Sequence, residues 1–149
     1  MGRLGSLEVL GGQFEELDVC RIPARRDTVD LLRARLDLLK GEDRALLKMY
    51  LDAGSSFYQL AKLAGMNRST VCRRIHRMIR RLSDETYAAC QRNPNMFDEQ
   101  ELTIIRDHFV RGLSMKRIGR DHKVGYYRAR IIVEKARQCA RSAATIVRS

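Results

Sequence analysis

Residues 57 to 76 read Phe57-Tyr-Gln-Leu-Ala-Lys-Leu-Ala-Gly-Met-Asn-Arg-Ser-Thr-Val-Cys-Arg-Arg-Ile-His76. Apolar residues recur here at three- and four-residue intervals, on either side of a glycine, which predicts two short helices joined by a three-residue turn. Small Ala61 lets the helices approach closely. Gly65 can take the left-handed backbone conformation at the turn, and Asn67 can cap the second helix. Met66, Val71 and Ile75 pin that helix to the first, and its seam runs on through Met78 or Ile79 to Leu82. The residues left outward at its start are Arg68, Ser69, Thr70 and Arg73.

The flanking sequence extends the same pattern. Val29, Leu32, Leu36 and Leu39 predict a helix opened by Asp27 or Thr28 and stopped at Gly41. Leu46, Leu47, Tyr50 and Leu51 mark a second, ending near Gly54, and Ser55 or Ser56 is placed to cap the helix through Leu60, Ala61 and Ala64. Asn93 to Asn95, around Pro94, separate this part from a further helix in which Asp98 and Glu101 stand at capping-box spacing. No β-type alternation appears, so the expected class is all-α. The expected organisation is an N-terminal arm (1–26), a first helix-turn-helix domain (27–92) and a second (98–149).

The second half aligns with the first at an offset of 58. Gly54 and Ser56 meet Gly112 and Ser114, and Leu46, Leu47, Leu60, Val71 and Ile75 meet Ile104, Ile105, Ile118, Ala129 and Val133. This predicts a tandem repeat, against the plainer alternative of one irregular helical bundle. Lys123 stands where the turn glycine was, with Gly125 two positions later. The reading face of the second copy becomes Tyr126, Tyr127, Arg128 and Arg130, in which the two tyrosines serve either as contacts or as core.

Charge points to the partner. The 149 residues contain 29 Lys plus Arg and 18 Asp plus Glu, a net charge of +11. Residues 1 to 40 are neutral, 41 to 97 carry +5 and 98 to 149 carry +6. Arg68, Arg73, Arg74, Arg77, Arg80 and Arg81 follow one another without an acidic residue. Such a run is self-repelling and lacks the Glu at four-residue spacing that pairs a merely solvated helix. A polyanion, above all double-stranded DNA, matches it, because guanidinium groups fork onto guanine edges and phosphates.

These residues carry a family resemblance. Residues 38 to 82, with Glu42-Asp-Arg-Ala-Leu-Leu-Lys-Met-Tyr50, Gly54, Leu60-Ala61, Gly65 and Arg68-Ser-Thr-Val-Cys-Arg-Arg-Ile-His-Arg77, resemble region 4 of the bacterial sigma-70 family, and 98 to 140 form a weaker second copy. The resemblance implies a sequence-specific, non-enzymatic transcription regulator whose second helix enters the major groove. It assigns DNA reading to Arg68, Ser69, Thr70, Cys72 and Arg73, with Arg74 and Arg77 further along the basic face. Tyr58 and Gln59 fall near the phosphates. It also supplies an alternative, an adaptor that binds RNA polymerase or another regulator through the same surface. The chain departs from a complete sigma factor in having no Trp and only about 26 residues ahead of its first helix.

Other classes are weakly supported. Cys20, Cys72, Cys90 and Cys139 lie far apart without a C-x-x-C pair and are expected as reduced thiols. Cys72 and His76 share a helix face but lack two further ligands for zinc, so neither metal nor cofactor is expected. The steps Asp107-His108 and Asp121-His122 place neighbours on diverging helix faces, and no nucleophile elbow or phosphate loop occurs. No membrane span or export signal is visible, and the expected location is the cytoplasm. Units of about 45 residues are marginal alone, so a shared core or a homodimer is expected.

Overall fold

The computed structural model describes residues 26–54 and 56–148. The expected arm lies almost wholly outside them. Among the described residues the regular structure is entirely helical: α1 (Arg26–Arg35), a 3-10 turn (Leu36–Leu38), α2 (Gly41–Ala53), α3 (Phe57–Ala64), α4 (Arg68–Ser83), α5 (Thr86–Gln91), α6 (Glu99–Phe109), α7 (Met115–Asp121) and α8 (Gly125–Arg148). None of these helices is long and apolar enough to cross a membrane. Two compact units divide at Arg80 and Arg81, inside α4.

The first unit is built on the leucine seam. Leu32, Leu36 and Leu39 are buried, as are Leu46 and Leu47 of α2, Leu60 and Ala61 of α3, and Val71, Ile75 and Met78 of α4. Met78 rather than Ile79 continues the α4 seam, because the steps 71, 75, 78 and 82 hold one face of a 3.6-residue helix. Gly41 does not end a helix as expected. It opens α2 at φ 55°, and the preceding segment has already tightened into the 3-10 turn. Gly54 closes α2 in the left-handed conformation at φ 59°.

The second unit is organised around α8. Its buried positions Ala129, Ile132, Ala136 and Cys139 form one cluster with Cys90 of α5, Phe97, Ile104 and Ile105 of α6, and Ile118 of α7. The short helix α5, which carries no periodic apolar signal of its own, packs on α6 and α8. Asp98 and Glu101 form the expected capping box at the start of α6, with the Asp98 side chain accepting from Glu101 N–H at 2.8 Å.

Candidate nucleic-acid interface

The turn between α3 and α4 is fixed by local hydrogen bonds. Ser56 Oγ accepts from the Gln59 backbone N–H at 3.2 Å, and Gln59 Oε1 accepts from the Ser56 N–H at 3.1 Å, so a capping box starts α3. Gly65 ends α3 at φ 68°, and the Met66 N–H closes the turn on the Ala61 carbonyl at 3.0 Å. Asn67 Oδ1 then accepts from the Thr70 N–H at 3.0 Å and its hydroxyl at 3.2 Å, satisfying donors that the first turn of α4 would leave unpaired.

With Val71, Ile75 and Met78 inward, helical geometry sends Thr70, Arg73, Arg77 and Arg80 along one exposed stripe at steps of three and four. Arg68 and Ser69 are half-buried at the helix start. Among the described residues, no carboxylate lies within ion-pair distance of Arg68, Arg73, Arg77 or Arg80. Tyr58 is 62% exposed, with the Lys62 ammonium 5.5 Å from its ring centroid. Gln59 is exposed, but its amide oxygen is held by the cap.

Two residues expected on the DNA-binding surface, Cys72 of the reading set and Arg74 of the basic face, are elsewhere. Cys72 is only 4% exposed, three residues before buried Ile75 and therefore on the core side. Its sulfur is held in a disulfide, so neither a base contact nor a reduced thiol stands at this position. Arg74 turns toward the start of α2, where Nη1 lies 2.6 Å from Glu42 Oε1 and Nη2 lies 2.7 Å from Asp43 Oδ1, with Nε donating to the same Asp43 oxygen at 2.8 Å. Burial acts to lower its pKa, but hydrogen bonds and charge from the two carboxylates prevail and raise it. Arg74 is a strut between α2 and α4. Sequence adjacency to Arg73 could not reveal this, because its partners stand 32 and 31 positions earlier.

Arg81, the last of the run, belongs to the second unit. Its guanidinium occupies the space a side chain at Gly112 would need, and Nη1 donates to the Arg111 carbonyl at 3.5 Å. Six arginines in sequence thus become three exposed along α4, with Arg68 half-buried at its start.

The second unit repeats the turn with different residues. Ser114 Oγ caps α7 by accepting from the Arg117 N–H at 3.2 Å, and the Val124 N–H closes on the Gly119 carbonyl at 3.0 Å. Both bonds lie 58 positions beyond equivalents in the first unit. Lys123 takes the left-handed conformation at φ 56° that Gly65 takes in the first turn. Gly119, where the first unit has Ala61, is buried so tightly that a Cβ would sit 2.7 Å from the Gly125 carbonyl carbon.

The surface that results is basic and aromatic. Tyr126 and Tyr127 are 56% and 75% exposed, and Arg128 and Arg130 are exposed beside them, so the tyrosines are not core. Among the described residues no carboxylate pairs with Lys116, Lys123, Arg128 or Arg130, whereas Arg117 and Arg120 reach Asp121 at 3.4 and 3.7 Å.

One connection crosses the two Asp-His steps. Buried Asp107 accepts from His122 Nε2 at 2.8 Å and from Arg111 at 3.1 Å, with Arg106 at 3.3 Å. A carboxylate only accepts, so Nε2 carries the proton. The pair fastens the α7–α8 turn to α6. Neighbouring residues in each step do diverge, as expected; the contact joins the first step's acid to the second step's imidazole. Among the described residues no group of three or more His, Cys, Asp or Glu side chains could hold a metal ion. The chain matches no family model, and no similar protein was found among curated proteins or solved structures.

Proposed function

We propose that this chain is a sequence-specific double-stranded DNA-binding transcription regulator, similar in plan to sigma region 4. The α4 stripe of Thr70, Arg73 and Arg77 enters the major groove, and Arg68 and Tyr58 lie toward the phosphates. The observation that carries this reading is the set of outward arginines that no described carboxylate neutralises, on a helix whose opposite face is fully used in the core. Guanidinium groups in this state recover their electrostatic energy on a polyanion, releasing its condensed counterions. Tyr126, Tyr127, Arg128 and Arg130 offer a second surface of the same charge.

A second reading, an adaptor for RNA polymerase or another regulator, draws support from Leu63, an apolar side chain of α3 that stands 71% exposed. Salt separates the two. Selection from a random duplex library followed by titration should give a defined site whose log affinity falls with log salt, at a slope of about −0.9 for each phosphate that a Lys or Arg neutralises on B-DNA. Failure to select any site, or affinity independent of salt, would assign the surface to protein.

A further inference from the structure

Two thiols meet where α5 crosses α8. Cys90 is fully buried and Cys139 nearly so; both are free and both belong to the core cluster of the second unit. Cys90 Sγ faces the Ala136 carbonyl at 3.8 Å, one helical turn before Cys139, and lies within hydrogen-bonding reach of the Cys139 thiol. Asn93 spans the same seam. Its Nδ2 donates to the Ala89 carbonyl at 2.9 Å and approaches Cys139 Sγ at 3.5 Å.

This seam opens to solvent on one side. Cys139 lines a pocket of about 310 Å³ together with Asn93, Met96, Lys135, Gln138 and Ser142. Lys135 is held there by the Met96 carbonyl, by Glu101 at 3.9 Å, and by the Phe97 ring 4.7 Å from its ammonium. A small polar reagent entering the pocket therefore meets one sulfur beside an amide donor and an ammonium group, with a second sulfur behind the first.

We propose that Cys139 and Cys90 form an oxidative modification site, in which a small hydroperoxide admitted by this pocket oxidises Cys139 and Cys90 then closes a disulfide. In the first step the Cys139 thiolate attacks one peroxide oxygen. The O–O bond breaks, the S–O bond of a sulfenic acid forms, and the other oxygen leaves as alcohol or water with the proton that the thiol gave up. In the second step Cys90 attacks the sulfenic sulfur. The S–O bond breaks, the S–S bond forms, and hydroxide departs as water with the Cys90 proton.

The surroundings suit this division of labour. Asn93 Nδ2 lies at the Cys139 sulfur and Lys135 lines the same pocket, so the sulfur that an entering peroxide reaches first is that of Cys139. Burial, reinforced by the neighbouring Cys139 sulfur, pushes the Cys90 thiol up to about 12, so it keeps its proton until the second step consumes it. The product ties α5 to α8 across the intervening 48 residues, shortening the unfolded chain's accessible ensemble.

The test uses the full chain, hydrogen peroxide and a sulfenic-acid trap such as dimedone, read by peptide mass spectrometry and thiol titration. The wild type should lose two thiols, yield a linked Cys90–Cys139 peptide and melt at a higher temperature. Cys90→Ala should stop at the first step and carry the trap on Cys139, and Asn93→Ala should slow oxidation several-fold without changing the product. Wild-type Cys139 that stays unmodified in excess peroxide overturns the proposal. So does a folded Cys90→Ala chain, judged by circular dichroism, that takes no trap at Cys139. Should Cys90→Ala not fold, presence or absence of the linked peptide in the wild type decides.

Discussion

Gly65 and Lys123, 58 positions apart, hold the same left-handed backbone conformation at the two helix-joining turns, with φ of 68° and 56°. A lysine accepts there what usually calls for glycine, at a cost of about 1–2 kcal/mol. The flanking hydrogen bonds, Met66 to Ala61 and Val124 to Gly119, are both 3.0 Å and hold each turn in place.

Gly65→Ala should therefore destabilise the first unit by about 1 kcal/mol through backbone strain alone, because a Cβ at this position meets nothing within 4 Å. Gly119→Ala should cost more, about 1–3 kcal/mol, because its Cβ collides with backbone that cannot rotate away. Denaturant melts of the two variants check the order. Equal losses would mean that helix approach in the second unit is looser than described.

Arg73→Ala and Arg74→Ala, adjacent in sequence, should behave differently. The first removes an exposed side chain and should leave stability within about 0.5 kcal/mol of wild type while weakening the preferred DNA site by about 1–3 kcal/mol. The second strips the partner from Glu42 and Asp43 and should lower stability by up to about 1 kcal/mol, the surface-exposed share of the pair limiting the loss. Thermal unfolding with parallel binding titrations reads both effects.

Val71→Asp places a charge at a position with no solvent exposure. It should abolish the cooperative melt of the first unit, since an unpaired buried carboxylate costs several kcal/mol. A retained transition at the wild-type temperature would move Val71 out of the core.

His108 supplies a pH signature. Burial holds its imidazole below the ordinary value. The Leu113 carbonyl, which accepts from Nδ1 at 3.2 Å, and the Asp84 charge act to raise it, and Arg137 acts to lower it. The folded state thus prefers the neutral ring, while the unfolded chain takes up a proton near pH ~6.5. This contribution is fully present above that pH and is lost as the pH falls from it toward the depressed folded value. The difference in melting temperature between wild type and His108→Gln should change across this window and remain flat above pH 7.

Local signals in the sequence were good guides to the fold. Ser56, Gly65, Asn67 and the Asp98–Glu101 pair each act within a few residues, and each sits where its capping or turn chemistry requires. The missing pieces depend on partners that only folding brings together. Arg74 looks like Arg73 until Glu42 and Asp43 arrive from α2, and Cys72 faces outward or inward according to one hundred degrees of helix phase. Asp107 and His122 carry no periodic signature at all, being 15 positions apart on separate elements. The short α5 has no local signal in the sequence because its burial comes from α6 and α8 rather than from its own six residues.

Helix α8 spans 24 residues, about 36 Å, and α5, α6 and α7 all lean on it. A spine shared in this way leaves the other three helices with little to hold once it frays. Amide hydrogens along Ile132 to Ala136 should accordingly exchange only by complete opening, at one common rate, and partial melting confined to a lone hairpin of this half should not be observed.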